Sequence, residues 1–349
     1  MVSEELCLRR KTLALGSVVL IGGITATTGY AGEIGHFTPG AYNIRDFAVP
    51  DPGWYWGIYN YGYRTTRAND ANGNKINSLS LTGPGGQTAT VNVAVNISAY
   101  AVSPFVIWVA PKKVLGAKYG LMINPTFSNA SINGLLSLGD RTGRSVSTGQ
   151  FNIADTYVQP VWLGWTGKHY DLGYSYGFYI PTGSYKTTIV TLPVVGPVQT
   201  ASASNTGYGF WTNQNQGSFY IYPWSDQRLA IENAVTWETH RKVRNFDLTA
   251  GQNLTWSWGL SEYLPLTNDE NLLLEAGPAG YSSFQVSDDT GADASKTPGV
   301  HDSVHAVGVQ VGVTSVKRAM AFNLSWFHEY ASVDRFQGNS VSLNFSLKF

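Results

Sequence analysis

From residue 341 the chain reads VSLNFSLKF, so Val341, Leu343, Phe345, Leu347 and Phe349 alternate with Ser342, Asn344, Ser346 and Lys348. Strict alternation predicts a β-strand with one face in apolar surroundings and the other in polar ones. The same period recurs upstream. Tyr170, Leu172, Tyr174, Tyr176, Phe178 and Ile180 alternate with Asp171, Gly173, Ser175 and Gly177. Leu229, Ile231, Val235 and Trp237 stand against Ala230, Glu232, Ala234 and Glu238, and Val307, Val309, Val311 and Val313 against Gly308, Gln310, Gly312 and Thr314. Bounded by Gly, Pro, Asn and Asp, such runs predict twelve strands, near 54–64, 89–103, 117–127, 153–165, 168–181, 207–222, 228–240, 245–258, 270–281, 303–315, 318–330 and 340–349. Most exceed the five or six residues usual in soluble proteins and suit tilted strands that cross a bilayer.

The connections carry a second pattern. Those after odd-numbered strands are long and polar (65–88, 128–152, 182–206, 282–302, 331–339), and those after even-numbered strands mostly short (166–168, 223–228, 315–318). Outer-membrane barrels have long external loops and short periplasmic turns. Two connections depart from this: 241–245, after the seventh strand, is short, and 259–269, after the eighth, is long.

Composition sharpens the choice between a soluble sandwich and a membrane barrel. Only 13% of residues are charged, against about 25% in ordinary soluble domains. There are 11 Trp, 20 Tyr and 15 Phe, yet mean hydropathy is −0.11, and no run of apolar residues is long enough for a spanning helix. Apolar residues diluted by lumen-facing polar ones give these values. The expected fold is all-β: a 12-stranded antiparallel transmembrane outer-membrane β-barrel. Closure satisfies every backbone group in lipid, so the last strand must pair with the first. A net charge of zero gives no electrostatic footprint for nucleic acid.

Residues 1–31 read as a signal peptide, with Arg9, Arg10 and Lys11 before an apolar run from Leu13 to Ile24 and small Gly29 and Ala31 before the expected cut. The one cysteine, Cys7, falls within it. Residues 32–53, with Pro39, Pro50 and Pro52, form an expected periplasmic or lumen-plugging segment, and 54–349 the barrel. Export and barrel together place the chain in the outer membrane of a Gram-negative cell, against lipid and lipopolysaccharide.

FTPGAYNIRDFAVPDPGWYWGIYNYGY, YVQPVWLGWTGKHYDLGYSYGFYIPTGSY and GYGFWTNQNQGSFYIYPWSDQRLAIENAVTWETH resemble the outer-membrane family named for the meta-cleavage (MetA) pathway of phenol degradation, across about residues 35 to 349. The resemblance implies a channel linked to uptake of aromatic or other hydrophobic compounds. Phe349 resembles the C-terminal aromatic signal read by the barrel-assembly machinery of Gram-negative bacteria, which would be a partner.

Candidate residues follow from face and position. Trp54, Trp56, Trp162, Trp165, Trp256 and Trp258, with Trp224, lie near expected strand ends and read as interfacial girdles, with core packing as the alternative. On the polar face, Asp171, Glu232, Glu238, Asp247, Asn253, Glu275, Asn323 and Glu329 either line a solute path or hydrogen-bond one another to fill a narrow barrel. Arg228, Arg241, Lys242 and Arg244 gather at strand ends, so no ion preference is expected. Pro160 sits inside the fourth strand and implies a bulge, either silent or a kink that admits an apolar solute sideways.

Gly173–Gly177 matches G-x-S-x-G, but a nucleophile elbow needs a strand-to-helix turn, and here the motif lies in an alternating strand. His301 and His305 with Asp302 and Ser303 read as solvated surface rather than a metal site, since i and i+4 in a strand are about 13 Å apart; Asp288, Asp289 and Asp293 resemble a loose cation-binding loop but lack the spaced ligands of an EF-hand. No cofactor or energy-coupling motif is present. The leading expectation is passive diffusion of small solutes, without enzymatic activity. The alternatives are a phospholipase-type enzyme using Ser303 with His301 or His305, and a structural barrel with a blocked lumen.

Overall fold

The computed structural model describes residues 35–82, 84–138, 141–148, 150–192, 194–202, 204–294 and 299–349; the expected signal peptide lies outside them. The alternating runs become β1 (Gly53–Thr65), β2 (Ser78–Thr82), β3 (Thr88–Val109), β4 (Lys118–Asn124), β5 (Phe127–Leu138) and β6 (Arg141–Thr148). They continue as β7 (Asn152–Ile153), β8 (Thr156–Thr166), β9 (Tyr170–Ile180), β10 (Thr187–Leu192), β11 (Gly196–Ala201) and β12 (Thr212–Ile221). The last six are β13 (Leu229–His240), β14 (Asn253–Pro265), β15 (Leu272–Gln285), β16 (Ser303–Ser315), β17 (Met320–Val333) and β18 (Asn339–Lys348).

Twelve of these close a ring in the order β1-β18-β17-β16-β15-β14-β13-β12-β9-β8-β4-β3 and back to β1. The fold is a closed 12-stranded antiparallel β-barrel. The terminal strand pairs with the first, Trp56 opposite Leu347 and Ile58 opposite Phe345, and the Phe349 N–H donates to the Trp54 carbonyl. The remaining strands extend the long connections: β2, β5 and β6 build a sheet onto the projecting end of β3, and β10 with β11 forms a separate hairpin.

All twelve expected strands are present, but the eighth is displaced. Residues 245–252 precede β14, which runs to Pro265. The error has a physical source. Phe246 and Leu248 alternate like a strand, yet they are buried with Val243, Tyr185 and Phe210 in a small apolar cluster formed by the long loops. With the boundary corrected, 241–252 is long and 266–271 short, which removes both departures; the connection 334–338 between β17 and β18, expected long, is instead short because both strands extend into it. Asp247 therefore leaves the lumen set: it is exposed in this loop, 2.6 Å from Lys242 Nζ.

The outer face is apolar over adjacent strands. Val307, Val309 and Val311 of β16, Phe322, Leu324 and Trp326 of β17, and Val341 and Leu343 of β18 are all exposed, Leu343 to 54%. A continuous apolar surface of this kind suits lipid, not water.

Pro160 forms the expected bulge. Pairing skips one residue on both sides of it: Val158 and Val161 meet Phe178 and Tyr176, while Gln159 and Trp162 meet Met122 and Gly120. The Pro160 carbonyl accepts from Tyr119 Oη at 2.7 Å. The extra residue reverses the inward–outward parity of the strand. Trp162, expected in the girdle, turns inward instead and is 6% exposed, packed with Val49, Tyr59 and Phe105.

Candidate functional site: the occupied lumen

Residues 35–52 run along the inner faces of the strands. Their central element is a 3-10 turn, Ile44–Phe47, closed by a capping box in which Asn43 and Asp46 bond each other's backbone N–H groups. The wall meets this segment with hydrogen bonds. Asn344 Nδ2 donates to the Ala41 carbonyl at 2.9 Å, Ser218 Oγ to Phe47 at 3.0 Å and Tyr220 Oη to Ile44 at 2.6 Å. Inward glycines make room: a Cβ at Gly164 would lie 2.7 Å from Val49, and one at Gly259 2.9 Å from Ile44.

Two polar anchors hold the segment. At the short-turn end, Arg45 Nε lies 3.1 Å from Glu232 and 3.4 Å from Glu275. It also donates to Ser261 Oγ at 2.7 Å, and its guanidinium sits 4.1 Å from the Tyr263 ring centroid. At the long-loop end, Glu238 Oε1 accepts from the backbone N–H groups of His36 and Phe37, at 3.0 and 2.9 Å. His36 Nε2 is 2.8 Å from Asp155 Oδ2, and its Nδ1 is 2.8 Å from Thr212 Oγ1, which lies 2.7 Å from His240 Nδ1. The chain ends at Asn253 Oδ1, 2.8 Å from His240 Nε2.

Burial sets the protonation of the segment. The Asp46 carboxyl is pushed up to about 7, chiefly by desolvation, with the charge of Glu275 adding to it. Desolvation holds the His36 imidazole below its usual 6.5, against the pull of Asp155.

Above the segment lies a cavity of about 370 Å3. Phe37, Tyr42, Tyr59, Tyr61, Tyr179 and Tyr208 supply aromatic walls, and Asp155, Glu238, Asn253, Glu329 and Arg335 supply polar ones. Tyr42 stands edge-on to Tyr59 with centroids 4.8 Å apart, and His36 stacks on Tyr179 at 4.6 Å. Glu329 accepts from Tyr63 Oη at 2.8 Å and Tyr281 Oη at 3.1 Å. Such a mix of apolar walls and few converging polar groups is the usual make-up of a small-molecule site.

The inward residues read from the sequence thus divide. Glu238, Asn253 and Glu329 line the cavity. Glu232 and Glu275 hold Arg45. Asp171 accepts from Tyr222 Oη at 2.7 Å, and Asn323 faces inward opposite Gly312 and Asn344. His36, Arg45, Asp155 and Tyr42 carry no local signal that marks them as site residues. Only the Asn43–Asp46 spacing of a capping box announced an ordered element there; a contact such as His36 to Asp155, 119 residues apart, has no local signal.

Of the tryptophans, Trp54, Trp56 and Trp256 are exposed on the outer wall. Trp258 is half-buried, and Trp165, also half-buried, donates to the Leu115 carbonyl at 3.3 Å. Ser175 of the G-x-S-x-G run is buried on an inward strand face. Ser303 stands opposite Phe284 and Val333. It is Ser282 that meets His305, Oγ to Nδ1 2.9 Å, between the rings of Phe284 and Tyr330. Among the described residues no carboxylate bonds this imidazole, so the pair lacks the third member of a hydrolytic triad. His301 pairs with Asp288 at 2.8 Å on the surface, and no metal-binding cluster occurs among the described residues.

An outer membrane channel from Pseudomonas putida F1 has a similar fold, with 14% identity, a TM-score of 0.59, and 90% of this chain and 100% of that one covered. The beta domain of the Bordetella autotransporter BrkA (12% identity, TM-score 0.43, coverage 86% and 100%) and a Pseudomonas aeruginosa FadL homologue (10%, 0.36, coverage 93% and 98%) are more distant. No curated protein matches the chain. A family match spans residues 65–345. The chain belongs to the family described as "Putative MetA-pathway of phenol degradation".

Proposed function

We propose that this protein is an outer-membrane channel through which small solutes diffuse passively, with residues 35–52 as a plug that restricts the lumen. The observation that carries the reading is the aromatic-lined cavity of about 370 Å3 inside a closed barrel, floored by that segment. An apolar cavity of about 150 Å3 already holds a benzene ring, so the space suits solutes of one or two rings. The Pseudomonas putida protein with a similar fold is an outer membrane channel, in keeping with this role.

The reading places the chain in the outer membrane of a Gram-negative cell, exported by residues 1–31 and facing lipopolysaccharide. Trp54, Trp56 and Trp256 serve as interfacial anchors and Phe349 as the mark for assembly. It gives the chain no enzymatic activity. Proteoliposomes loaded with an impermeant osmolyte test it. Added benzyl alcohol or a small sugar is expected to swell vesicles containing the protein faster than empty ones. Equal rates for vesicles with and without the protein, for both solutes, would refute the proposal.

A further inference from the structure

The interior carries an imbalance of charge that the sequence conceals. Arg228, Arg241, Lys242 and Arg244 stand outside the lumen. Arg228 pairs with Glu270 at 2.7 Å in a turn, Lys242 with Asp247 at 2.6 Å, and Arg241 and Arg244 are exposed. Inside, among the described residues, the carboxyls of the cavity are Asp155, Glu238 and Glu329, against the single guanidinium of Arg335. His36 also lines it, with its Nε2 held 2.8 Å from Asp155 Oδ2. Beneath, Glu232 and Glu275 flank one base, Arg45. Lys118 and Lys348 belong to the short-turn rim, where Lys118 binds Asp51 at 2.8 Å and Lys348 lies over Tyr55.

In a narrow, low-dielectric lumen such an excess of one sign acts over the whole path, because field lines are focused rather than screened. The aromatic walls act in the same direction, since ring faces attract cations.

We propose that the cavity selects by charge: it holds aromatic solutes that are organic cations, admits neutral ones, and rejects carboxylates and other anions of the same size, with Glu238 and Arg335 setting the contrast. This rests on the channel reading for its physiological meaning, but the binding itself does not require flux.

The test uses the detergent-purified full chain and three probes with one ring in common: benzylammonium, benzyl alcohol and benzoate. Titrations followed by calorimetry at low ionic strength are expected to give affinities in that order, with about tenfold or more between cation and anion. Added salt narrows the gap. Glu238→Gln, whose amide oxygen can still accept from the His36 and Phe37 N–H groups, is expected to shrink the ratio at least threefold. Arg335→Gln is expected to widen it, so a fault in one variant's folding cannot mimic both results. Benzoate binding as tightly as benzylammonium, a ratio unmoved by either substitution, or no binding of any probe would overturn the proposal. Discriminating binding without flux in proteoliposomes would instead leave the site standing and remove the channel reading.

Discussion

Pro160 decides which way its neighbours face. It lacks a ladder N–H, and the strand accommodates it by inserting one residue against both partners. Its place near an expected strand end put Trp162 in a lipid girdle, whereas the bulge turns the indole into the lumen core. Residue parity was legible wherever a strand was unbroken, as in Val307–Val313, and failed beyond a bulge. Trp162→Ala is expected to lower stability by about 3–5 kcal/mol, seen as a lower urea midpoint for the heat-modifiable folded form on gels. A change comparable to that of an exposed Trp56→Ala would place the side chain outside. Arg45 is equally specific: its side chain is 13% exposed between Glu232 and Glu275, at 0% and 3%. Arg45→Met leaves two buried carboxylates without their cation and is expected to loosen the segment by about 3–5 kcal/mol, measured as faster proteolysis near residues 36–50 with the barrel intact.

At the scale of elements, residues 35–52 are held by shape as well as charge. Gly164→Val is expected to push Val49 off the wall and raise conductance; an unchanged conductance would show that the segment does not limit the path. Acidity acts on the same element. Asp46 keeps its proton up to about pH 7, against 3.8 unfolded, so its contribution to docking is complete below about pH 4 and lost as pH rises through about 7. His36 opposes this, because its lowered pKa makes docking more favourable as pH rises towards 6.5. Above 6.5 the opposing effect of His36 is spent and that of Asp46 remains. Conductance is therefore expected to rise between about pH 6.5 and 8, and to rise less in Asp46→Asn. Neither anchor was readable from spacing. The displaced β14 shows the same limit in a loop: Phe246 and Leu248 have the period of a strand, but their partners Tyr185 and Phe210 are remote in sequence.

The whole molecule is the scale at which the sequence was most informative. Alternation depends only on which side of a strand meets water, so twelve strands, their closure and the rhythm of long and short connections follow from composition along the chain. The outer apolar face makes a direct demand: Val309→Arg, placing a charge on the outer face of β16, is expected to cost about 2–4 kcal/mol in a bilayer if near its midplane, and far less in loose detergent micelles. Charge within the lumen was not legible, because basic residues near strand ends cannot be assigned to wall, turn or loop until the strands close. Single-channel recording in planar bilayers tests the central claim most directly, comparing the full chain with one lacking residues 36–50. Small or intermittent steps in the first and large, steady ones in the second are expected. Identical conductance, or silence from both folded proteins, would contradict a solute path governed by the segment in the lumen.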